Sequence, residues 1–318
     1  MSRRWLVWLA LSVGFAGLLG YVLFARTGVD LAQVASRLGS LKPEAFIALT
    51  GLIGLTTWLS ALRWRLIAQR TGLCDPPSME AAFALTALGV GVGQVVPTQL
   101  AAPLSRSLGG KLFGDRRPLR TAGVTFYEQC FDLGLTTVLG AASALALATR
   151  SAPLWPPLAA VGVLACLGLV RVVPALLGWA AKGPARLQTL VAGVQRSGVL
   201  GPALLTRLVC ITALRFVILI AMAWTTSWCA GIDAPPLALA AALPLVALAT
   251  ALPLTPAGLG VNELTFAAVL VAFGMPLDLA TEWALVNRVL VTVASLLVAG
   301  TGVAVGARRS LSARPQQG

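Results

Sequence analysis

Histidine is absent from this 318-residue chain, and charge of either sign is scarce, with Asp, Glu, Lys and Arg making up 11% of residues. Without an imidazole there is no His general base, no His-dependent triad and no His-ligated metal site. Soluble domains carry about 25% charged residues. A chain with less than half that share, 58% AVILMFWYC and a mean hydropathy of +0.86 is too apolar to fold in water. Lysine is also rare, at three residues against 21 arginines. The five cysteines (Cys74, Cys130, Cys166, Cys210 and Cys229) stand singly with no C-x-x-C. They read as small apolar helix residues, and no metal or cofactor is implied.

What the chain does have is long apolar runs. Six are clear, at 5–24, 45–62, 121–148, 155–175, 208–229 and 283–306. Runs of this length read as membrane-crossing helices. Two further apolar regions, 78–104 and 237–273, are interrupted by Gly and Pro. The expected fold is all-α: one integral membrane domain over 1–318, a polytopic bundle of six full spans plus two re-entrant broken hairpins. The first run follows Arg3-Arg4 and lacks an A-x-A cleavage site, so it reads as an uncleaved N-terminal span.

The basic residues orient this arrangement. If each broken region enters and leaves on one side, both termini lie in the cytoplasm. Seventeen basic residues, Arg63, Arg65, Arg70 and Arg106 among them, then fall on the cytoplasmic side, against Arg26, Arg37, Lys42 and Arg150 outside. Such an asymmetry is what the positive-inside rule expects, and reading 78–97 as a full crossing would collapse it. The net charge of +13 therefore reflects membrane orientation, and no nucleic-acid partner is expected. Leu31, Val34, Leu38 and Leu41 recur at helical spacing among Asp30, Arg37 and Lys42, which predicts a short amphipathic helix on the outer surface.

The order span, broken hairpin, span occurs twice, over about 45–148 and 208–306, starting from opposite sides. The span at 155–175 connects the two copies. Paired interrupted segments in opposite orientation point to a transporter with its site near the midplane. The breaks fall at Pro97 in the first hairpin and at Pro253, Pro256, Gly258 and Gly260 in the second. Proline removes an amide donor and glycine permits tight turns, and the backbone groups so freed must face protein or a wet cavity. The competing reading is that Gly and Pro are simply commoner in membrane helices.

Six ionisable residues fall within spans or hairpins: Glu128, Asp132, Arg171, Arg215, Glu263 and Arg288. A charge at the bilayer centre costs at least about 2.5 kcal/mol, which favours pairing or a wet cavity. Glu128 and Asp132, four apart, share one helix face, with Glu128 roughly 12 Å beyond Arg120 at 1.5 Å per residue. Arg171 lies near a helix end and is expected to snorkel to the surface. Glu128, Asp132, Arg215, Glu263 and Arg288 either line a polar path for a substrate or are ion pairs that fix packing.

The segments Arg63-Trp64-Arg65, Val96-Pro97-Thr98-Gln99-Leu100 through Arg106, Glu128 with Asp132, and Leu252 through Glu263 followed by Arg288 resemble the lysylphosphatidylglycerol synthase transmembrane-region family. The likeness covers about residues 30 to 306. It departs from the family pattern at Ala101 and Ala102, at Gln129 and Ala257, and at Asn262, where the family has Arg before the Glu. The resemblance adds Arg106 and Asn262 to the candidate substrate-binding residues. It implies a bacterial inner-membrane protein that moves or handles lipid-linked molecules. It also implies that aminoacyl transfer belongs to a separate soluble domain absent from this sequence.

The reading reached is a flippase or transporter of a lipid or lipid-linked head group, with the bilayer and that lipid as its partners and no catalytic residues. Two alternatives stay open. One is a lipid head-group transferase using Glu128 or Asp132 as base; the other is a non-transporting scaffold for envelope-building enzymes. Association with such an enzyme or with a second copy is compatible with either.

Overall fold

The computed structural model describes residues 14, 17–19, 21, 30–71, 76–110, 118–180, 182, 184, 188, 192, 201–251 and 255–312. Most of the expected first span and of the loop 182–207 lies outside the described residues, as do Pro253 and Cys74. Ten helices with described bounds follow: α1 (Leu31–Gly39), α2 (Pro43–Thr71), α3 (Met79–Val92), α4 (Thr98–Gly110), α5 (Pro118–Ala148), α6 (Trp155–Ala180), α7 (Pro202–Ala230), α8 (Pro236–Ala251), α9 (Val261–Ala272) and α10 (Leu277–Ser312). Short 3-10 turns at Ala152–Leu154 and Pro256–Gly258 complete the described elements. There is no strand among the described residues. Five helices, α2, α5, α6, α7 and α10, are long and apolar enough to cross a membrane. The chain is an all-α, multi-pass membrane bundle.

The helices overrun the boundaries expected from hydropathy. Basic residues closing an apolar run suggested that the second span ended at 62, with Arg63 and Arg65 in a cytoplasmic loop. Instead α2 continues to Thr71, because no Gly or Pro falls between Leu62 and Arg70 and arginine is a good helix former. Arg63 is therefore buried, not in a loop. Arg106 needs the same correction: it lies inside α4 and is buried. Arg171 is in α7's neighbour α6 and is exposed, on a helix whose outward residues Val161, Leu164, Leu169 and Leu176 are also exposed. That face suits lipid, since α6 is the most peripheral of the five long helices.

Both interrupted regions are antiparallel helix pairs. Ser78 caps α3 by accepting from the Ala81 amide at 3.3 Å, and the chain turns over Gly93–Pro97 before α4 returns along α3. At 14 and 13 residues the limbs are about 21 and 20 Å long, short of the roughly 30 Å needed to cross. The second pair, α8 and α9, has 16 and 12 residues, about 24 and 18 Å. Its break carries Ala257 at φ +53°, Gly258 at +69° and Gly260 at +79°. α9 starts cleanly because Glu263 accepts a hydrogen bond from the Gly260 amide at 2.7 Å.

The hairpins enter from opposite ends of the bundle. Arg37 of α1, just before α2, donates to the Gly231 carbonyl at the end of α7 (3.4 Å), and Cys229 lies 3.9 Å from the Lys42 carbonyl. The start of α2 therefore sits beside the end of α7, and the two helices pack antiparallel. The first hairpin begins soon after α2 ends and the second soon after α7 ends, so they approach from opposite directions. Their tips meet: Gln99 Nε2 donates to the Thr250 carbonyl at 2.6 Å.

Packing is reciprocal between the halves. α3 lies on α10 and α8 lies on α5, while α4 and α9 each pack on the long helix that follows them. Small residues allow the close approaches. A Cβ on Gly91 would fall 2.6 Å from the Ala299 Cβ, and one on Gly302 would fall 2.5 Å from the Ala87 Cβ. Gly140 of α5 likewise faces the Leu248 side chain of α8. This is the small-residue packing expected where lipid supplies no hydrophobic drive between helices.

Candidate functional site

The centre of the site is Arg63 of α2, and its partners come from two other helices, α5 and α7. Nε and Nη2 donate to Glu128 Oε1 at 2.9 and 2.8 Å, and Nη2 reaches Asp132 Oδ2 at 2.5 Å. Nη1 donates to Asp132 Oδ1 and, at 2.6 Å, to Thr212 Oγ1 of α7. One guanidinium thus spans both acids on the shared face of α5, the fork geometry that suits arginine and not lysine. Arg106 of α4 pairs with the other Glu128 oxygen, Oε2, and donates to Thr86 of α3 at 3.2 Å. Its guanidinium also lies 4.8 Å over the Trp64 ring. Arg215 of α7 donates through Nη1 to Asp132 Oδ2 at 3.1 Å.

Glu128, Arg63 and Arg106 are sealed inside the bundle, whereas the side chains of Asp132 and Arg215 keep 32% and 21% exposure. That exposure opens onto a cavity of about 470 Å³ between α5, α7 and α8. Its polar lining is Asp132, Arg215, Thr212, Thr136, Gln99 and Gln129. Its apolar lining includes Phe126 and Leu133, which are exposed on the outward side of α5, so the cavity opens sideways onto the surface that faces lipid. The hairpin tips form its remaining wall. Gln129 Nε2 donates to the Gln99 carbonyl at 2.9 Å, Gln99 bonds Thr250, and Ala247 and Ala251 of α8 line the space.

A second ion pair lies in the other half. Arg288 Nε of α10 is 3.6 Å from Glu263 Oε1 of α9. It occupies the same kind of interface as Arg106–Glu128, between the returning hairpin limb and the long helix after it, with the charges exchanged. Neither Glu263 nor Arg288 lines the cavity, nor do Glu128, Arg106 or Asn262. Among the expected substrate-binding residues, Asp132 and Arg215 face it. Asn262 stands in the first turn of α9 with its Oδ1 buried and without a hydrogen-bond partner. Pro97 is buried at the first tip, and Pro256, Gly258 and Gly260 form the described part of the second. No group of three acidic or cysteine residues that could hold a metal occurs among the described residues.

Sequence reasoning missed Arg63, Thr212, Gln99 and Gln129 as site residues. The available signal for Arg63 was the apolar stretch Leu66-Ile67-Ala68 beyond it, which shows that the helix face continues.

Residues 7–300 match the family described as Lysylphosphatidylglycerol synthase TM region. The chain belongs to that family. It is an integral membrane protein of the lysylphosphatidylglycerol synthase TM region family, and no curated protein matches it. Gln129 uses its amide to hold the first tip. Ala257 sits in a left-handed conformation that disfavours a side chain.

Proposed function

We propose that the protein moves a lipid or lipid-linked head group across the membrane through the cavity between α5, α7 and α8. The carrying observation is the cavity itself: polar and charged at its inner end, apolar at its sideways mouth, and walled by two hairpin tips approaching from opposite ends. A head group can occupy the polar end while acyl chains stay against Phe126 and Leu133 in lipid. Broken helices meeting at mid-depth are the elements on which alternating access turns in transporters. Rocking one half against the other would break the Gln99–Thr250 contact and expose the cavity to the second side.

In this reading the protein is not an enzyme. Asp132 accepts from Arg63 and Arg215, and Glu128 from Arg63 and Arg106, so each acid is engaged by two guanidinium groups. A general base must lie within reach of the proton it takes, and Glu128 is sealed away from the cavity while both oxygens of Asp132 accept from Arg63 and Arg215. The basic residues support a bacterial cytoplasmic membrane with both termini inside. Moving the buried Arg63 and Arg106 out of the seventeen leaves fifteen, still against four.

The test is a reconstituted-vesicle assay in which fluorescent lipids on the inner leaflet become accessible to a membrane-impermeant quencher. Wild-type protein should speed exposure of at least one head group, and Ala247→Trp, which fills the cavity, should abolish the gain. Wild-type rates equal to those of protein-free vesicles for every head group would overturn the proposal.

A further inference from the structure

Resting on that reading, we propose that α1 is a strap across the base of the second hairpin. Release of its Arg37 lets the hairpin pivot and opens the cavity toward the side of the membrane that bears α1. Arg37 reaches both ends of that base. Its Nε donates to Glu282 Oε1, in the second turn of α10, at 3.0 Å. Its Nη1 donates to the Gly231 carbonyl, where α7 ends, at 3.4 Å. The chain enters the hairpin after Gly231 and leaves it through Gly274 into α10.

Each root is a short turn between helices. Gly231 (φ +64°) and Gly274 (φ +93°) are left-handed, and a proline follows each, Pro235 and Pro276. A left-handed glycine ends a helix and the proline stops it from resuming, so α8 and α9 hang from two turns and do not continue α7 and α10. α1 lies over these roots. Val34 is buried in the same apolar cluster as Ile232, Ala234 and Met275 of the turns, and Leu38 and Leu41 pack against that cluster. Because α1 runs through Ser40–Lys42 into α2, it belongs with the first half of the bundle.

The contact is built to release. Arg63 is enclosed on all sides, whereas the Arg37 side chain keeps 40% exposure and its partner Glu282 only 8%. Arg37 can exchange its contacts for water at little cost, while the buried Glu282 carboxylate favours the closed pair. A surface helix needs only its apolar seat to stay in place, and the two polar contacts add a hold on the hairpin itself. The lever is long. α8 has 16 residues, about 24 Å, so a tilt of about 10° at the root would carry the tip about 4 Å. That is enough to part Gln99 from the Thr250 carbonyl and to shift Ala247 and Ala251, which line the cavity.

Cys130 lines the cavity and is exposed, so it reports the opening. The full-length protein is treated with a membrane-impermeant sulfonated thiol reagent from one side of the membrane at a time, and modification of Cys130 is read by peptide mass spectrometry. Arg37→Gln should speed modification from α1's side about fivefold, the population shift that a part-exposed ion pair supports, and slow it from the opposite side. Arg37→Lys should fall between the two, because an ammonium cannot span Glu282 and Gly231 as the guanidinium does. Rates unchanged from both sides would overturn the strap. An equal rise from both sides would overturn it too, since that is the behaviour of a loosened bundle. The readout needs no lipid movement. The expected one-sided change in protein that moves no lipid would keep the strap and sink the transport reading, while unchanged rates in protein that does move lipid would sink the strap alone.

Discussion

Gln99, one residue into the returning limb of the first hairpin, donates its side-chain amide to the carbonyl of Thr250, next to the break in the second, at 2.6 Å. These residues are 151 positions apart and belong to elements that enter from opposite ends of the bundle. Their contact marks the level at which the halves meet, and it supplies a partner to a carbonyl left free where α8 stops. Replacing Gln99 by Leu should leave the Thr250 carbonyl buried and unpaired, lowering stability by about 1–3 kcal/mol. Thermal unfolding of the detergent-solubilised protein measures this, and an unchanged midpoint would place the tips apart.

Arg63 should be the most sensitive charged position. Arg63→Met leaves Glu128 and Asp132 facing each other with one cation fewer, at a cost of about 3–5 kcal/mol. Arg63→Lys should recover only part, because one ammonium cannot reproduce the fork between two carboxylates. Equal stability of the Lys variant and wild type would contradict the bidentate geometry.

Glu263 has two partners of different kinds, and a charge swap separates them. Its Oε2 accepts from the Gly260 amide at 2.7 Å, and its Oε1 faces Arg288 at 3.6 Å. Glu263→Arg and Arg288→Glu should each destabilise, and the double variant should recover about 1–2 kcal/mol through restored pairing. Recovery should stay incomplete, because an arginine at 263 cannot accept from the helix start. Full rescue would mean that the cap at Gly260 contributes nothing.

Ala257 at φ +53° carries a strain that glycine would relieve. Ala257→Gly should stabilise the protein by about 1 kcal/mol, with the reverse sign from the usual loss on introducing glycine. A fall in the unfolding midpoint would show that this turn is not left-handed in the folded protein.

Gly302 is the small-residue counterpart. A Cβ there would lie 2.5 Å from the Ala87 Cβ and 3.3 Å from the Ala84 carbonyl oxygen, a backbone atom with little room to move. Gly302→Val should force α10 away from α3 and cost roughly 1–3 kcal/mol by overpacking. Gly300→Val, with nothing within 4 Å of its Cβ position, is the control and should be near neutral.

The interruptions were legible in the sequence because Gly and Pro act locally: each removes a donor or relaxes φ wherever it stands. The clusters near Gly93–Pro97 and Pro256–Gly260 therefore announced breaks without any knowledge of neighbours. The shared face of Glu128 and Asp132 followed from helical periodicity in the same way. Arg63 illustrates the opposite case. A basic residue after an apolar run looks the same whether the helix stops or continues into a polar interior, and hydropathy chose the stop.

Length, apolar runs and the placement of helix breakers thus determined a multi-pass helical bundle with two hairpins too short to cross. Only the tertiary structure decided which charges meet. Glu128 took Arg63 and Arg106 from α2 and α4, Asp132 took Arg63 and Arg215, and Glu263 took Arg288. Ion pairing inside a membrane is a matter of a few ångströms between different helices, and periodicity within one helix carries no information about its neighbours. For the same reason the sequence left open whether the five charges share one path, whereas packing buried Glu128, paired Glu263 with Arg288 away from the cavity, and left Asp132 and Arg215 lining it.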